Sequence, residues 1–194
     1  NIPIGRRGAH MGDHDAVQRR RVPAADRDVA NVKLIIAGNS GAGKTALVRA
    51  FCEQRAGLPP ALEPTVGADF QVRHYGVNGK EFRVCIWDVS GDPGFLEVRN
   101  EFYKDSQGLL LVCDVTSRKS FQDLEGWHTE MQRFSPNGLK CTVVGTKIES
   151  GPRAVNEQVA RNWAQGKSAT YFEVSTAMGK NIEAPFRDLV SRVV

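Results

Sequence analysis

A glycine-rich segment that ends in a lysine and a threonine is the part of this sequence best suited to hold phosphate. Residues 38–45 read GNSGAGKT, which fits the pattern of a glycine, four variable residues and then Gly-Lys-Thr. In such a loop, backbone N–H groups surround phosphate oxygens, the lysine reaches the β and γ phosphates, and the threonine hydroxyl binds Mg²⁺. The candidate phosphate-binding residues are Ser40, Gly41, Ala42, Gly43, Lys44, Thr45 and Ala46.

A second segment, DVSG at residues 88–91, places a carboxylate at the end of an apolar run. If that run is a strand of the same sheet, Asp88 lies beside the phosphate loop and can hold Mg²⁺ through a water molecule. The simpler interpretation is an aspartate that caps the next helix, but an acidic strand end beside a phosphate loop favours the metal role. Gly91 lets the backbone approach a γ-phosphate closely.

These residues need strands that end beside them, and the apolar pattern predicts such strands. Short apolar runs bounded by polar or glycine-containing loops predict strands at 32–37, 82–87, 108–115, 139–144 and 170–174. Helical spacing predicts helices at 45–54, 95–103, 120–134, 155–164 and 181–193. Strand and helix therefore alternate, as in a parallel sheet covered by helices on both faces.

One segment breaks this alternation. Residues 68–87 contain two strand-like runs around Asn78-Gly79, the dipeptide that a type I′ hairpin turn favours. The expected fold is therefore a three-layer α/β domain with a six-stranded, mostly parallel sheet, one antiparallel edge strand and about five helices. Its ligand belongs at the carboxyl ends of the strands.

Composition limits the alternatives. The 194 residues are 41% hydrophobic and 25% charged, which fits one globular domain. No run of about 18 apolar residues and no secretory leader occurs, so we expect a cytoplasmic or nuclear protein. Six arginines and four aspartates in residues 1–30 supply half of the net charge of +4, and the remainder is too weak to predict nucleic-acid binding.

The first thirty residues have little apolar periodicity, and we predict that residues 1–30 form a disordered tail, part of which resembles a cloning scar. The globular domain is predicted at residues 31–194. The four cysteines lie far apart in apolar segments and the histidines form no ligand pair, so the sequence predicts no zinc site. No heptad pattern or broad apolar stripe occurs, and we expect a monomer.

The motifs together resemble those of Ras-superfamily small GTPases in order and interval, over about residues 31–194. The matching positions are the phosphate loop, Thr65 within PTVG, Asp88 to Gly91, Lys147 and Ser175. This resemblance implies the P-loop small-GTPase fold and a switch that binds GTP or GDP with Mg²⁺. By the same resemblance, Thr65 is the switch I threonine that joins the Mg²⁺ shell with Thr45 and Asp88.

The subgroup looks like Rab, because Phe70, Trp87 and Phe102 stand where Rab proteins carry an exposed aromatic triad. The run EVRNEFYKD at residues 97–105 resembles the signature of the RJL (RBJ) Rab-like GTPases, some of which carry an appended DnaJ domain. The resemblance implies effector proteins that bind the switch regions through this triad. An aromatic residue on a strand also commonly packs into a core, and both interpretations stay open. The last cysteine is Cys141, so we expect no prenyl anchor in this chain.

The first departure from the family lies after Gly91, where the usual glutamine that orients the attacking water is replaced by Asp92, followed by Pro93. A carboxylate about 4 Å from a γ-phosphate oxygen costs on the order of 4 kcal/mol at an effective dielectric of about 20. We therefore expect Asp92 to point away or to hinder hydrolysis, with a general-base role as the weaker alternative. The catalytic set implied by the resemblance is Lys44, Thr65, Gly91 and Asp92.

The second departure lies at the base-binding side, where the usual Asn-Lys-x-Asp reads Thr146-Lys147-Ile148-Glu149. Glu149 keeps a carboxylate that accepts from N1–H and the 2-amino group of guanine, whereas adenine presents an acceptor at N1. Thr146 cannot supply the amide that ties the loops together, and each lost bond costs roughly 0.5–3 kcal/mol. Ala56 replaces a common phenylalanine, and residues 175–177, Ser175, Thr176 and Ala177, resemble the last base-contact loop. We expect weakened guanine-nucleotide binding.

The leading prediction is a Rab-like guanine-nucleotide switch that hydrolyses GTP slowly because of Asp92. The main alternative is a pseudo-GTPase that keeps GTP bound and acts as a scaffold. A P-loop protein that uses another nucleotide is a third interpretation, based on Thr146, Glu149 and Ala56, and a nucleotide kinase is the least favoured.

Overall fold

The computed structural model describes residues 29–55, 63–135 and 138–194. Within these ranges the chain forms six strands and six α-helices. The strands are β1 (Ala30–Ala37), β2 (Ala68–Val77), β3 (Lys80–Val89), β4 (Gly108–Asp114), β5 (Lys140–Thr146) and β6 (Thr170–Glu173). The helices are α1 (Lys44–Glu53), α2 (Leu96–Lys104), α3 (Arg118–Gln122), α4 (Leu124–Phe134), α5 (Glu157–Gly166) and α6 (Glu183–Val193). The predicted tail lies outside the described residues as far as residue 28.

The strands of the described chain form a single sheet in the order β2-β3-β1-β4-β5-β6. Only the β2–β3 pair is antiparallel; every other neighbouring pair is parallel. Asn78 and Gly79 join β2 to β3 with φ angles of 54° and 76°, the left-handed conformation that a type I′ turn requires. The predicted α/β class and its antiparallel edge hairpin are confirmed.

The central strands β1, β4 and β5 are buried on both faces because helices cover both. Along β1, Leu34 and Ile36 pack with residues of α1 and α6, whereas Ile35 and Ala37 pack with residues of α2, α4 and α5. This double burial explains why β1 reads as a continuous apolar run rather than an alternating one. The parallel register places Ile36 opposite Asp88, so β1 and β3 end at the same edge of the sheet.

The predicted helices all occur, with shifted bounds. The helix predicted at 120–134 begins at Arg118 and is interrupted at Asp123, which separates α3 from α4. Helix α5 begins two residues later than predicted, because the side chain of Asn156 accepts hydrogen bonds from the first-turn N–H groups of Gln158 and Val159. No helix of the described residues is long and apolar enough to cross a membrane.

Candidate functional site

The phosphate loop lies between the carboxyl end of β1 and the first residue of α1. Gly43 precedes the helix with φ 92°, a left-handed conformation that most side chains disfavour. No side chain caps the N-terminus of α1, so its first N–H groups remain available to an anion. The loop therefore has the geometry of a phosphate cradle at the centre of the sheet edge.

Lys44 is buried beneath this loop. Its Nζ donates to the carbonyl oxygens of Gly38 at 2.8 Å and Asn39 at 3.0 Å. Burial lowers the pKa of Lys44 to about 8, while the carboxylate of Asp88 opposes that shift. An anionic phosphate above the loop would favour the charged ammonium, so ligand binding and protonation of Lys44 support each other.

The three predicted metal ligands meet in the structure. The Thr45 hydroxyl donates to Oδ2 of Asp88 at 2.5 Å and lies 2.9 Å from the Thr65 hydroxyl, which is 3.4 Å from the same carboxylate oxygen. The other oxygen, Asp88 Oδ1, is buried without a hydrogen-bond partner. Burial raises the pKa of Asp88, and hydrogen bonds from Thr45 and Thr65 partly offset this. Oxygen donors beside an orphaned carboxylate oxygen suit Mg²⁺.

Gly91 lies directly against the phosphate loop. A Cβ atom at this position would sit 2.2 Å from the backbone nitrogen of Ser40, a distance that no side chain can occupy. The chain between β3 and α2 can therefore pass this close to the loop only if residue 91 is a glycine. This contact brings the Gly91 backbone to the place where a terminal phosphate would bind.

The carboxylate of Asp92 faces away from the cleft. Its Oδ1 accepts from the backbone N–H of Gly94 at 2.8 Å and so caps a short 3₁₀ turn, Pro93–Phe95. Asp92 is exposed and does not line the cavity that Gly91 lines. Of the placements that the sequence left open, the structure has the one in which Asp92 points away, and the carboxylate stabilises the turn instead.

A cavity of about 680 Å³ runs from the phosphate loop to the predicted base-binding loops. Most predicted binding residues line it: Ser40, Gly41, Gly43, Lys44, Thr45, Ala46, Thr65, Gly91, Thr146, Lys147, Glu149, Thr176 and Ala177. Ala42 and Ser175 are buried behind its wall. Glu63, Pro64 and Ser150 also line the cavity and were not predicted. Ala56 lies outside the described residues.

Thr146 joins the two ends of this cavity. Its buried hydroxyl donates to the carbonyl oxygen of Ala42 at 2.6 Å, and the carbonyl oxygen of Cys113 lies 3.1 Å away. Thr146 carries no amide, as the sequence indicates, but its hydroxyl supplies one bond between β5 and the phosphate loop. A hydroxyl at the end of β5 reaches the phosphate loop without an amide because Thr146 lies beside that loop: a Cβ atom added at Gly43 would be in van der Waals contact with the Thr146 side chain, 3.5 Å from its hydroxyl oxygen.

The base end is more open than the phosphate end. Lys147 pairs with Asp114 at the end of β4 at 2.7 Å. Burial alone would raise the pKa of Asp114, but hydrogen bonds from Lys147 and Thr116 hold it below its usual value. Glu149 is exposed, and its carboxylate lies 3.4 Å from the Ser150 hydroxyl. Asp114 was not predicted, although its position at a strand's carboxyl end is a signal that could have found it.

Ser175 is buried and stabilises the turn at residues 175–178, which forms the last predicted base-contact loop. Its hydroxyl oxygen accepts from the N–H of Met178 at 3.0 Å, and its backbone pairs with Lys180. The turn presents Thr176 and Ala177 to the cavity. The predicted role of Ser175 in base contact is thus indirect in this structure.

The three predicted surface aromatics form one stack across β2, β3 and α2. Ring centroids lie 4.6 Å apart for Phe70 and Trp87, and 4.5 Å apart for Trp87 and Phe102. Phe70 is 42% exposed, whereas the other two are half-buried. Each interpretation of the sequence holds for part of the stack, because Trp87 and Phe102 pack against neighbouring residues whereas Phe70 faces solvent.

Comparison with known proteins agrees with this geometry. The profile of the Ras family matches residues 33–194. Among curated relatives, DnaJ homolog subfamily C member 27-A of Xenopus laevis is 37% identical over 174 residues, which cover 87% of this chain and 63% of the relative. DnaJ homolog subfamily C member 27 of Danio rerio is 37% identical over 183 residues, covering 91% and 65%. The chain thus spans less than two thirds of these relatives.

Proposed function

The chain belongs to the Ras family, and we propose that it is a Rab-like, Mg²⁺-dependent guanine-nucleotide switch of the RJL type with slow intrinsic GTP hydrolysis. The family is one of small GTPases that bind GTP and GDP. The Rab-like and RJL assignment rests on the aromatic stack and the run EVRNEFYKD, and residues 31–194 form the proposed GTPase domain.

The convergence of Thr45, Thr65 and Asp88 beside Lys44 carries this proposal. These residues come from α1, the segment before β2, and β3, and their oxygens meet within 3.4 Å. Bound Mg²⁺ would neutralise phosphate charge, with Asp88 Oδ1 as the acceptor for a metal-bound water. Lys44 would bind the β and γ phosphates, and Gly91 N–H would donate to the γ-phosphate.

The position of Asp92 supports the proposal of slow hydrolysis. Its carboxylate caps the turn at Gly94, so nothing at residue 92 orients a water for attack on the γ-phosphate. Single-turnover hydrolysis of preloaded GTP, followed by chromatography of bound GTP and GDP, tests this. We expect Asp92→Gln to hydrolyse GTP faster than the wild type. Equal rates would refute the role given to Asp92.

The pseudo-GTPase scaffold remains the second candidate, because the same capping bond removes the carboxylate from the reaction. The single-turnover experiment separates the two functions. Bound GTP that persists for about a day supports the scaffold, whereas complete conversion over hours supports a slow GTPase.

Guanine selectivity is proposed from Glu149, whose carboxylate lines the base end of the cavity. A carboxylate there accepts from guanine N1–H and the 2-amino group and repels the N1 lone pair of adenine. Competition of GTP, ITP and ATP against a fluorescent GDP derivative tests it. ITP, which lacks the 2-amino group, should bind more weakly than GTP, and ATP more weakly still. ATP that competes as well as GTP would favour a different nucleotide.

Effector proteins are proposed to dock on the Phe70, Trp87 and Phe102 stack. Val72 on β2 and Leu96 and Val98 on α2 are further exposed apolar side chains on the elements that carry Phe70 and Phe102. Aromatic residues of this kind commonly anchor protein interfaces. Phe70→Ala should weaken a partner identified by capture on the GTP-loaded chain while leaving nucleotide affinity unchanged; an unaltered partner affinity would remove the stack from the interface.

A further inference from the structure

Helix α2, which follows Gly91 and Asp92, is fastened to α4 by a buried ion pair. Arg99 donates through Nε to Glu130 Oε1 at 2.6 Å and through Nη2 to Oε2 at 2.9 Å. The two side chains are only 5% and 15% exposed. The Tyr103 hydroxyl donates to the same Glu130 oxygen at 3.1 Å. Bidentate, charge-assisted bonds with little solvent are among the strongest side-chain contacts in a protein.

The same guanidinium reaches the residue next to the γ-phosphate position. Arg99 Nη1 donates to the backbone carbonyl of Asp92 at 2.8 Å. Gly91 lies against the backbone of Ser40, and this bond holds the next peptide group along the chain, that of Asp92 and Pro93. The start of the segment 91–104, which the family resemblance makes switch II, is therefore positioned by protein groups on both sides.

A second connection runs from α4 to the phosphate loop. The Arg99 guanidinium lies 4.6 Å from the centre of the Trp127 ring, and the Trp127 indole N–H donates to Asn39 Oδ1 at 2.8 Å. The Asn39 amide donates in turn to Asp123 Oδ2 at 2.7 Å. Phosphate loop and segment 91–104 are thus tied to α4 through one continuous layer of side chains.

We propose that Arg99 is a positioning residue: with Glu130, Tyr103 and Trp127 it forms a clamp that keeps segment 91–104 in one conformation in both the GDP and the GTP state. This inference rests on the proposed nucleotide switch. In such switches two segments, here the one that carries Thr65 and segment 91–104, are usually ordered by the γ-phosphate and released after hydrolysis.

The balance of contacts supports the clamp. Loss of the γ-phosphate removes one hydrogen bond from Gly91 N–H, whereas release of the segment would break the Arg99 bonds to Glu130 and Asp92 and leave Glu130 buried without its cation. A ligand shifts a conformational equilibrium only by its difference in affinity for the two states. The nucleotide-dependent change is then confined to the segment that carries Thr65, and a partner that touches only α2 binds both states alike.

Hydrogen–deuterium exchange of the full chain tests the clamp without nucleotide, with GDP and Mg²⁺, and with a non-hydrolysable GTP analogue and Mg²⁺. We expect residues 96–104 to exchange within about threefold in the three states, while residues 64–70 slow by about tenfold with the analogue. A tenfold change at residues 96–104 between GDP and the analogue would overturn the proposal.

Two matched substitutions separate the clamp from general stability. Glu130→Gln removes the charge that Arg99 meets, and Glu183→Gln makes the same change at the partner of Arg73, between β2 and α6. Glu130→Gln should raise exchange at residues 96–104 by about tenfold and make it nucleotide-dependent, whereas Glu183→Gln should leave it within about twofold. If both substitutions change exchange at residues 96–104 equally, Arg99 contributes only to general stability and the clamp is refuted.

If Glu130→Gln fails to fold, Trp127→Phe tests the second connection, since it keeps an aromatic ring at residue 127 but removes the indole N–H that donates to Asn39 Oδ1. Faster exchange at residues 38–43 with residues 96–104 unchanged supports the layer, and unchanged exchange in both contradicts it. If the chain retains no nucleotide, the proposed function is refuted but the clamp is not. The comparison of Glu130→Gln with Glu183→Gln in the free chain then still decides on the clamp.

Discussion

The two ends of the cleft are built in different ways. At the phosphate end, buried Lys44 and Asp88 and the tight contact of Gly91 with the loop leave little room for other residue types. At the base end, Glu149 is exposed and Thr146 makes with a hydroxyl the tie that an amide makes in related proteins. The phosphate end therefore tolerates little substitution and should determine affinity, whereas the base end adjusts selectivity through smaller energies.

The largest effect should come from Lys44→Met. It removes the ammonium that contacts the Gly38 and Asn39 carbonyls beneath the phosphate loop and should cost about 3 kcal/mol, or roughly 100-fold in GDP affinity. Titration with a fluorescent GDP derivative measures it. Lys33→Met is the matched control, because Lys33 lies on β1, does not line the cavity, and contacts the exposed Asp105 and the Trp87 ring. A loss below about tenfold for Lys44→Met would mean that the backbone amides alone hold the phosphates.

The affinity for GDP should depend on pH because of Lys44 at the phosphate end, and this effect should be of intermediate size. Because burial lowers the pKa of Lys44 to about 8, GDP affinity should fall about tenfold between pH 7 and pH 9, as the ammonium that binds phosphate is lost. In the nucleotide-free chain the sign is opposite. The unfolded lysine binds more protons above pH 8, so the Lys44 contribution to stability rises from pH 8 to about pH 10.5.

Two measurements check this prediction. The first is the dissociation constant of GDP across the pH range, and the second is the difference in free energy of unfolding between the wild type and Lys44→Met. Affinity that is flat across this range would show that Lys44 titrates outside it.

A smaller effect is expected at the junction of the two ends. Thr146→Val keeps the shape of the side chain but leaves the Ala42 carbonyl without its donor, which costs about 1–3 kcal/mol of stability. Dissociation of GDP should accelerate about fivefold, because the phosphate loop loses its tie to β5. Thr142→Val is the control: Thr142 is equally buried on β5 but bonds to Asp188 of α6. Its dissociation rate should stay unchanged, and a matching acceleration would point to general destabilisation of β5.

The smallest effect is predicted for Glu149→Asp, which restores the carboxylate length usual in the family. Since Glu149 is exposed, GTP affinity should change less than about fivefold, and the preference for GTP over ATP should remain. Competition assays with both nucleotides measure it. A gain of about 30-fold or more would show that the base end is as demanding as the phosphate end, and the contrast between them would fail.

The sequence predicted the sheet because each strand is a short apolar run bounded by turn residues, and it predicted the phosphate loop because that loop depends on residue types in fixed spacing. It did not predict the bond from Thr146 to Ala42, because a threonine carries no sign of which distant carbonyl it will reach. Arg99 was missed for the same reason. An arginine on an amphipathic helix reads as a solvent-facing residue until the position of Glu130 on another helix is known.

The helix bounds show a similar limit. Asp123 interrupts a continuous helical pattern, and only its contacts with Asn39 and Lys119 indicate why the chain turns there. Pro185 falls in the second turn of the helix predicted at 181–193, whereas in the structure it lies in the first turn of α6, where a missing N–H breaks no helical bond. Local pattern predicts that an element exists, and tertiary contacts decide where it begins.

Strand β1 comes first along the chain among the described strands, yet it lies in the middle of the sheet, between β3 and β4. A nascent chain that ends before β4 leaves β1 with one open edge, and the loop after it is not yet held in place. The tie from Thr146 is added only when β5 has left the ribosome. We therefore expect nucleotide capture to follow the synthesis of β5, so that GTP or GDP would stabilise the domain only after most of its sheet has been made.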